Sequence, residues 1–322
     1  QPTYNQPLFE VRPCHTAAEV SAAAGSKYYP VTFAPALAEM QASGESFAMV
    51  ALPCAARALR LAQQRVPWLR KQLKVLLSLT CGHCVSTHYT DCLSEWAGVA
   101  AAELIAATYR SKIGTCRAGD FGFLPGSAKG PGYQLGFSSS LVTELWCSCA
   151  FALSGCLYCE DVFGEYADAT FMDAWLPEYE RDPAGTSLAI VRDTHLKALL
   201  VDGAQAGAVA LSLISSEAIL SSQAGVIKLK TEGLAVRLAQ AAETGRLPST
   251  VRIKPTPAGN SHIKSQASAP EEARSLSHTL WKRGGSAALA NWAAGRRKAR
   301  RLRRVLSLPL KAIRRALRCV SH

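Results

Sequence analysis

Eleven cysteines in 322 residues, an odd number and for the most part crowded between Cys54 and Cys159, constrain this chain more than any other feature. A secreted disulfide scaffold is usually shorter, and the opening QPTYNQP has neither the basic nor the apolar run of a targeting peptide. The pattern reads as reduced thiols in a cytoplasm, some of them serving as ligands. The missing initiator Met is consistent with a chain that begins inside a longer gene product. At roughly 150 residues per domain the length allows about two compact units. With 48% hydrophobic and 19% charged residues the composition is globular, and no unbroken apolar run of about 18 residues is present to span a bilayer.

The net charge of +12 is concentrated at one end. From Ala273 to His322 there are fourteen Lys and Arg and no Asp or Glu, which leaves the first 272 residues at −2. A near-neutral body argues against a nucleic-acid-binding fold and assigns the positive field to a C-terminal appendage.

Residues Phe47 to Leu52 are an apolar run that meets Pro53 and then the helical pattern CAARALRLAQQ, a strand, turn and helix with Cys54 at the junction. The same geometry repeats with Lys74 to Leu79 as a strand and Thr80 to Cys84 as a loop. Ser86 or Thr87 then caps a helix through Trp96 that Gly98 ends. Cys81 thus occupies the same kind of place as Cys54, and in α/β sheets sites form at the carboxyl ends of strands. The expected fold is α/β, with α+β as the alternative: a mixed sheet with flanking helices, a cofactor site at strand ends and a basic C-terminal tail. Tyr109 to Gly136 reads as strand pieces and turns, Leu141 to Leu153 as helix, and Cys156 to Glu180 as a long polar and aromatic loop. Then come a strand at Ser187 to Val191, a helix at Thr194 to Ala206, a strand at Ala208 to Leu213 and a helix at Lys228 to Thr244. The expected organisation is a domain over 1–245, with 1–45 shortened if the chain is truncated, a flexible linker over 246–277 and a basic amphipathic tail over 278–322.

Cys156 and Cys159 form a C-x-x-C that lets both sulfurs reach one metal or one iron–sulfur cluster, and Cys54 and Cys81 are candidates for the remaining two ligands. The same pair is equally a zinc half-site, a redox pair or two core thiols. Cys147 and Cys149 in WCSCAFAL read as buried hydrophobes. Gly25, Ser26, Lys27 and Tyr28 combine small residues, a hydroxyl, a cation and an aromatic face, which suits a phosphate or flavin and also an ordinary helix C-terminal turn. Arg110 and Lys112 can neutralise a phosphate or stay solvated. His83 and His88 flank the Cys81 loop as proton donors or helix caps.

Several of these pieces, in order, resemble the coenzyme F-420 hydrogenase/dehydrogenase beta-subunit family. AAGSKYYP at Ala23 to Pro30 is similar to its GSKY segment, ALPCAARALR at Ala51 to Arg60 to its G-x-P-C-Q-x-x-A-L-R segment, and LTCGHCVS at Leu79 to Ser86 to its second cysteine loop. Tyr109 to Lys112 resembles [YF]-R-x-K. The stretch CLYCEDVFGEYADATFMDAWLPEYE from Cys156 resembles the C-x-x-C-x-D…E-x-A-D…G-D-A-W-L-P-E-Y segment, and Ser222 to Gly225 is a smaller fit. The likeness covers about residues 18 to 245. Ala51 stands where the family has Gly, Ala55 where it has Gln and Met172 where it has Gly, and Cys84 has no regular counterpart.

The resemblance implies an FAD beside one [4Fe–4S] cluster, passing electrons between an iron–sulfur chain and a two-electron acceptor. By the same resemblance Cys54, Cys81, Cys156 and Cys159 are the cluster ligands, and Gly25, Ser26, Lys27, Tyr28 and Arg110 contact the flavin. Asp161, Asp168 and Asp173 are candidates to orient backbone and ligands in the C-x-x-C loop, or simply to cap turns. The implied partner is a redox protein or ferredoxin, with no nucleic acid. The substrate does not follow, because relatives act on deazaflavin and on chlorophyll-type pigments. The rival reading is a non-catalytic structural or binding protein whose cysteines hold zinc or nothing. In the tail, Leu302, Val305, Leu306, Leu310, Ile313 and Leu317 gather among arginines at helical spacing interrupted by Pro309. Such a segment suits peripheral contact with an anionic membrane surface, at about 1 kcal/mol per basic residue near it, and equally a disordered solubilising tail.

Overall fold

The computed structural model describes residues 7–114, 117–137, 140–245 and 252–320, with side chains as far as Leu302 in the last helix. Helices α1 (Ala17–Ala22) and α2 (Ala34–Ser43) lead into β1 (Phe47–Ala51), α3 (Pro53–Arg65), α4 (Pro67–Gln72), β2 (Leu73–Leu79) and α5 (Thr87–Trp96). An antiparallel unit follows, of β3 (Ala106–Lys112), β4 (Phe121–Ser127), β5 (Gly130–Pro131) and β6 (Leu135–Gly136), and then α6 (Ser140–Cys147). The chain continues through β7 (Ala169–Asp173), β8 (Ser187–Val191), α7 (Thr194–Gln205), α8 (Ser216–Ser222), α9 (Ala224–Lys230), α10 (Glu232–Glu243) and α11 (Ser261–Val320).

The first sheet has the order β1-β2-β7-β8, with β1, β2 and β7 parallel and β8 antiparallel to β7. The mixed α/β sheet with flanking helices is as expected. Pro53 in the first turn of α3 has no N–H to leave unpaired there, so the chain turns from strand to helix within two residues, and Cys54 sits in that first turn. Met40, Met49, Ala56, Leu59, Leu69 and Leu76 form one core between this sheet and α2, α3 and α4. The second sheet, β3-β4-β5 with β6 on β4, packs Tyr109 and Phe123 against Tyr89, Cys92 and Leu93 of α5 and Val142 and Leu145 of α6. Each fully buried Leu of these cores contributes about 1.5–3 kcal/mol.

Three expected elements are corrected. The Cys156 to Glu180 stretch is not all loop, because Ala169–Asp173 is a strand in the middle of the first sheet. Its five residues sit among polar loop residues, and only pairing with Leu77, Ser78 and Leu79 on one side and with β8 on the other makes them a strand. Ala208 to Leu213 forms no strand: among the described residues no neighbour pairs with it, and Leu213 is fully exposed. Lys228 to Thr244 is two helices, broken at Thr231.

The linker expected over 246–277 is helical from Ser261, capped by the Asn260 side chain accepting from Ile263 N, and it buries Ala267, Ala273 and Ser277. Low hydrophobicity there reflects small residues at a close helix contact. Before it, Arg252 is held by Glu160 and Glu165; residues 246–251 lie outside the described residues. The expected tail of 278–322 is likewise helix as far as Val320, broken at Gly284 and Gly285, where φ is +58° at Gly285. It is docked on the body: Leu289 is fully buried in the second core beside the partly buried Trp281 and Trp292. The Trp96 indole donates to Ser286 O at 3.0 Å. The buried carboxylate of Glu144 accepts from Arg296 Nε at 2.6 Å and Arg300 Nη2 at 2.7 Å. The amphipathic face beyond Leu302 lies outside the described side chains. No described helix is long and apolar enough to cross a membrane.

Candidate functional site

Because β1, β2 and β7 run parallel, their carboxyl ends open on one edge of the sheet. Cys54 follows β1 and Cys81 follows β2, and Cys81 N donates to Val162 O, which fastens its loop to the turn after Cys159. On the other side Leu153 N donates to Cys84 O and the main-chain N–H of Cys84 donates to Cys156 Sγ at 3.3 Å. The structure thus brings the four expected ligands into one neighbourhood: Cys54, Cys156 and Cys159 each act electrostatically on Cys81. Burial pushes the Cys81 thiol up to about 12 and Cys84 up to about 11, and raises Cys156 as well. Among the described residues no three His, Cys, Asp or Glu side chains stand close enough to share a single metal ion. Cys149 is buried as expected, whereas Cys147 is exposed.

Two buried cations that sequence reasoning missed organise this region. Lys230, in the last turn of α9 and only 2% exposed, donates from Nζ to Asp161 O at 2.7 Å and to Cys159 Sγ at 3.3 Å. Arg237 of α10, also buried, donates to Leu157 O inside the C-x-x-C, to Leu229 O and to Ala267 O of α11. Sequence carries little signal for either, since a Lys or Arg on an amphipathic helix is ordinarily solvated.

Of the three aspartates, Asp161 and Asp168 hold main-chain N–H groups and Asp173 pairs with Arg110. Asp161 accepts from Gly164 N and Glu165 N, closing the turn after Cys159. Asp168 accepts from Leu76 N and pairs with Arg60, tying β7 to β2 and α3. Gly164 has φ +58°, and a Cβ there would meet Ser78 Oγ at 2.5 Å. Gly164→Ala should therefore cost at least about 2 kcal/mol from left-handed strain and the clash with a buried strand residue. Chemical denaturation would measure it, and a loss under about 0.5 kcal/mol would mean the loop re-routes freely.

A cleft of about 180 Å³ lies at the carboxyl end of β7, lined by Arg110, Lys112, Phe121, Asp173 and Trp175 among others. Arg110 Nη1 donates to both carboxylate oxygens of Asp173 at 3.0 Å. Its guanidinium lies over the Phe121 ring at 4.3 Å and stands 5.9 Å from the ring of the exposed Trp175. Gln223 donates to Asp173 O, which places the Ser222 to Gly225 segment on the same wall. A larger open hollow of about 480 Å³ between Arg60, Gln63, Gln64 and Arg70 has no aromatic or cysteine lining.

Tyr28 reaches this wall. Burial raises its phenol, Arg110 opposes that shift, and its hydroxyl is hydrogen-bonded to Ser26. Phe121 of the cleft packs on Phe137 at 5.4 Å, Phe137 stands 6.5 Å from the Tyr28 ring, Tyr28 packs on Trp146 at 4.5 Å and Trp146 on His83 at 4.4 Å, so an aromatic chain joins the Arg110 cleft to the Cys81 loop. Burial lowers His83 to about 4, leaving a neutral imidazole whose Nε2 has no partner among the described residues. Lys27 is placed differently: its ammonium folds back onto Ala23 O and Ala24 O, both at 2.6 Å, and Gly25 at φ +93° makes the turn. That is the helix C-terminal turn of the two local readings.

The fold and site define an α/β protein with a cysteine-rich centre at the carboxyl ends of the parallel strands of a mixed sheet, beside a cation-lined aromatic cleft. Residues 44–217 match the family described as the C terminus of the coenzyme F420 hydrogenase/dehydrogenase beta subunit, and the chain belongs to that family of oxidoreductase subunits. Among solved structures it is similar to a chain of the F420-reducing [NiFe] hydrogenase complex from Methanosarcina barkeri, studied with xenon. That likeness is at 12% identity and a TM-score of 0.50, over 74% of this chain and 77% of that one, and it concerns the fold. No curated protein matches the chain.

Proposed function

We propose that this chain is a flavin- and iron–sulfur-dependent oxidoreductase or electron-transfer subunit, with Cys54, Cys81, Cys156 and Cys159 holding one [4Fe–4S] cluster and the Arg110 cleft taking one end of an FAD. The observation that carries the reading is the placement of Cys54 and Cys81 after neighbouring parallel strands, with the C-x-x-C loop tied to the Cys81 loop and a buried ammonium on Cys159. When bound, the two groups supply a one-electron carrier beside a two-electron carrier. The thiols act on one another, yet among the described residues no three ligating groups stand close enough to chelate one ion.

The chain's own residues have definable tasks in this proposal. Cys84 N–H donates to the Cys156 sulfur, which favours its thiolate form and helps set the potential of whatever it ligates. Arg110, held in place by Asp173 and the Phe121 face, offers a fixed cation to an anionic or electron-rich group. At about 180 Å³ the cleft is smaller than the roughly 300 Å³ at which pockets for whole cofactors begin, so it grips one end of a longer molecule. Gly25, Ser26 and Lys27 enter as the turn that brings Tyr28 onto Trp146, with Lys27 reaching a phosphate only by leaving Ala23 O and Ala24 O. The similar structure is of a hydrogenase complex, and by that likeness a partner subunit is part of the proposal.

Anaerobic purification with iron and sulfide reconstitution should give a brown protein with about four irons and one flavin per chain. A chain that takes up stoichiometric zinc and no flavin, or stays colourless after reconstitution, would overturn the reading.

A further inference from the structure

Lys230 is buried to 2% exposure and meets no carboxylate among the described residues. Its two partners are the Asp161 carbonyl and the Cys159 sulfur, neither of which carries a charge when the thiol is protonated. A buried ammonium without a counter-ion is costly, and an anion beside it offsets that cost. The neighbouring Lys228, two residues earlier on the same helix, is 69% exposed, so the burial of Lys230 is specific to its position. The groups it faces are those of the cysteine site: it acts on Cys81, Cys156 and His83 and touches Cys159. The anions within its reach are thiolates.

We propose that Lys230 is the built-in counter-charge of the cysteine site, selecting a net-anionic occupant and raising its reduction potential. This rests on the iron–sulfur reading above. A cluster on four thiolates is negative in both redox states and gains one further negative charge on reduction, so a fixed cation in a dry site favours the reduced form. The role is positional: the ammonium exchanges no proton and forms no bond to iron. It separates from a purely structural role because a tether to Asp161 O needs only a donor, whereas compensation needs the charge.

The test is a redox titration, followed by electron paramagnetic resonance, of the reconstituted wild type, Lys230→Met and Lys230→Gln. Gln keeps an N–H for Asp161 O and removes the charge. Both variants should shift the one-electron equilibrium toward the oxidised form by at least tenfold, about 59 mV more negative. Should Met prevent loading, Gln alone decides. A Gln variant that loads iron as the wild type does and titrates at the wild-type potential overturns the inference and leaves the cluster reading standing. A Gln variant that cannot be loaded while the wild type can supports the counter-charge in its stronger form if Lys230→Arg loads, and overturns it if Arg fails as well. A wild type that takes up no iron–sulfide removes the cluster reading and this inference together.

Discussion

Ending the chain after Ser277 is expected to unfold the protein, although that cut removes residues whose composition alone suggests a dispensable basic tail. The cut removes Leu289, which is fully buried among Tyr89, Leu93, Val142 and Leu145, together with the partly buried Trp281 and Trp292. Losing one such Leu costs about 2–5 kcal/mol and two half-buried Trp a comparable amount, so the sum is roughly 4–10 kcal/mol. A whole domain has only about 5–15 kcal/mol to lose. The cut also strands the buried carboxylate of Glu144 without Arg296 and Arg300, adding an unpaired interior charge. A chain ended after Leu302 keeps every one of these contacts and is the matched control. Thermal melts should show a cooperative transition for the longer chain and none for the shorter. A cooperative melt of the shorter chain within a few degrees of full length would show that α11 is not part of the core.

Arg237→Met should be the most damaging single substitution outside the cysteines. The guanidinium satisfies Leu157 O, Leu229 O and Ala267 O at once, from three different segments. Each buried carbonyl left unpaired costs about 1–3 kcal/mol, and the new methyl thioether fills the space without donating, so the loss over three carbonyls is about 3–9 kcal/mol. Leu157 lies between Cys156 and Cys159, so the same change should loosen the C-x-x-C and lower iron retention after reconstitution. Denaturation in urea with a parallel iron assay separates the two effects. A midpoint within about 1 kcal/mol of wild type would mean that water or a neighbouring donor replaces the guanidinium.

Much of the frame was legible from local pattern. The strand ending at Ala51, the helix from Pro53 and the repeat of that geometry around Cys81 follow from apolar runs, proline placement and Gly98, whose φ of +83° ends α5. Their parallel pairing puts Cys54 and Cys81 at one edge, as the strand–turn–helix order implies. The order of the GSKY, cysteine and C-x-x-C segments pointed to the family that the comparison bears out over 44–217. The strand at Ala169–Asp173 was not legible, because its stability comes from two neighbours that are distant in sequence.

By itself the sequence determined the strand ends, the helix starts and which thiols could meet, because these depend on backbone conformations and periodicities set within a few residues. Only the tertiary structure decided which cations go inside. Lys228 and Lys230 are two residues apart in a KLK run, yet one is solvated and the other lies against Cys159. Lys27, for which the local sequence allowed a helix turn or a phosphate contact, folds back onto Ala23 O and Ala24 O, and the basic C-terminal stretch buries Leu289 in the core before its cationic run begins. Burial of a charge depends on the anions and carbonyls that other segments bring to it, and that sum is made only when the chain is folded.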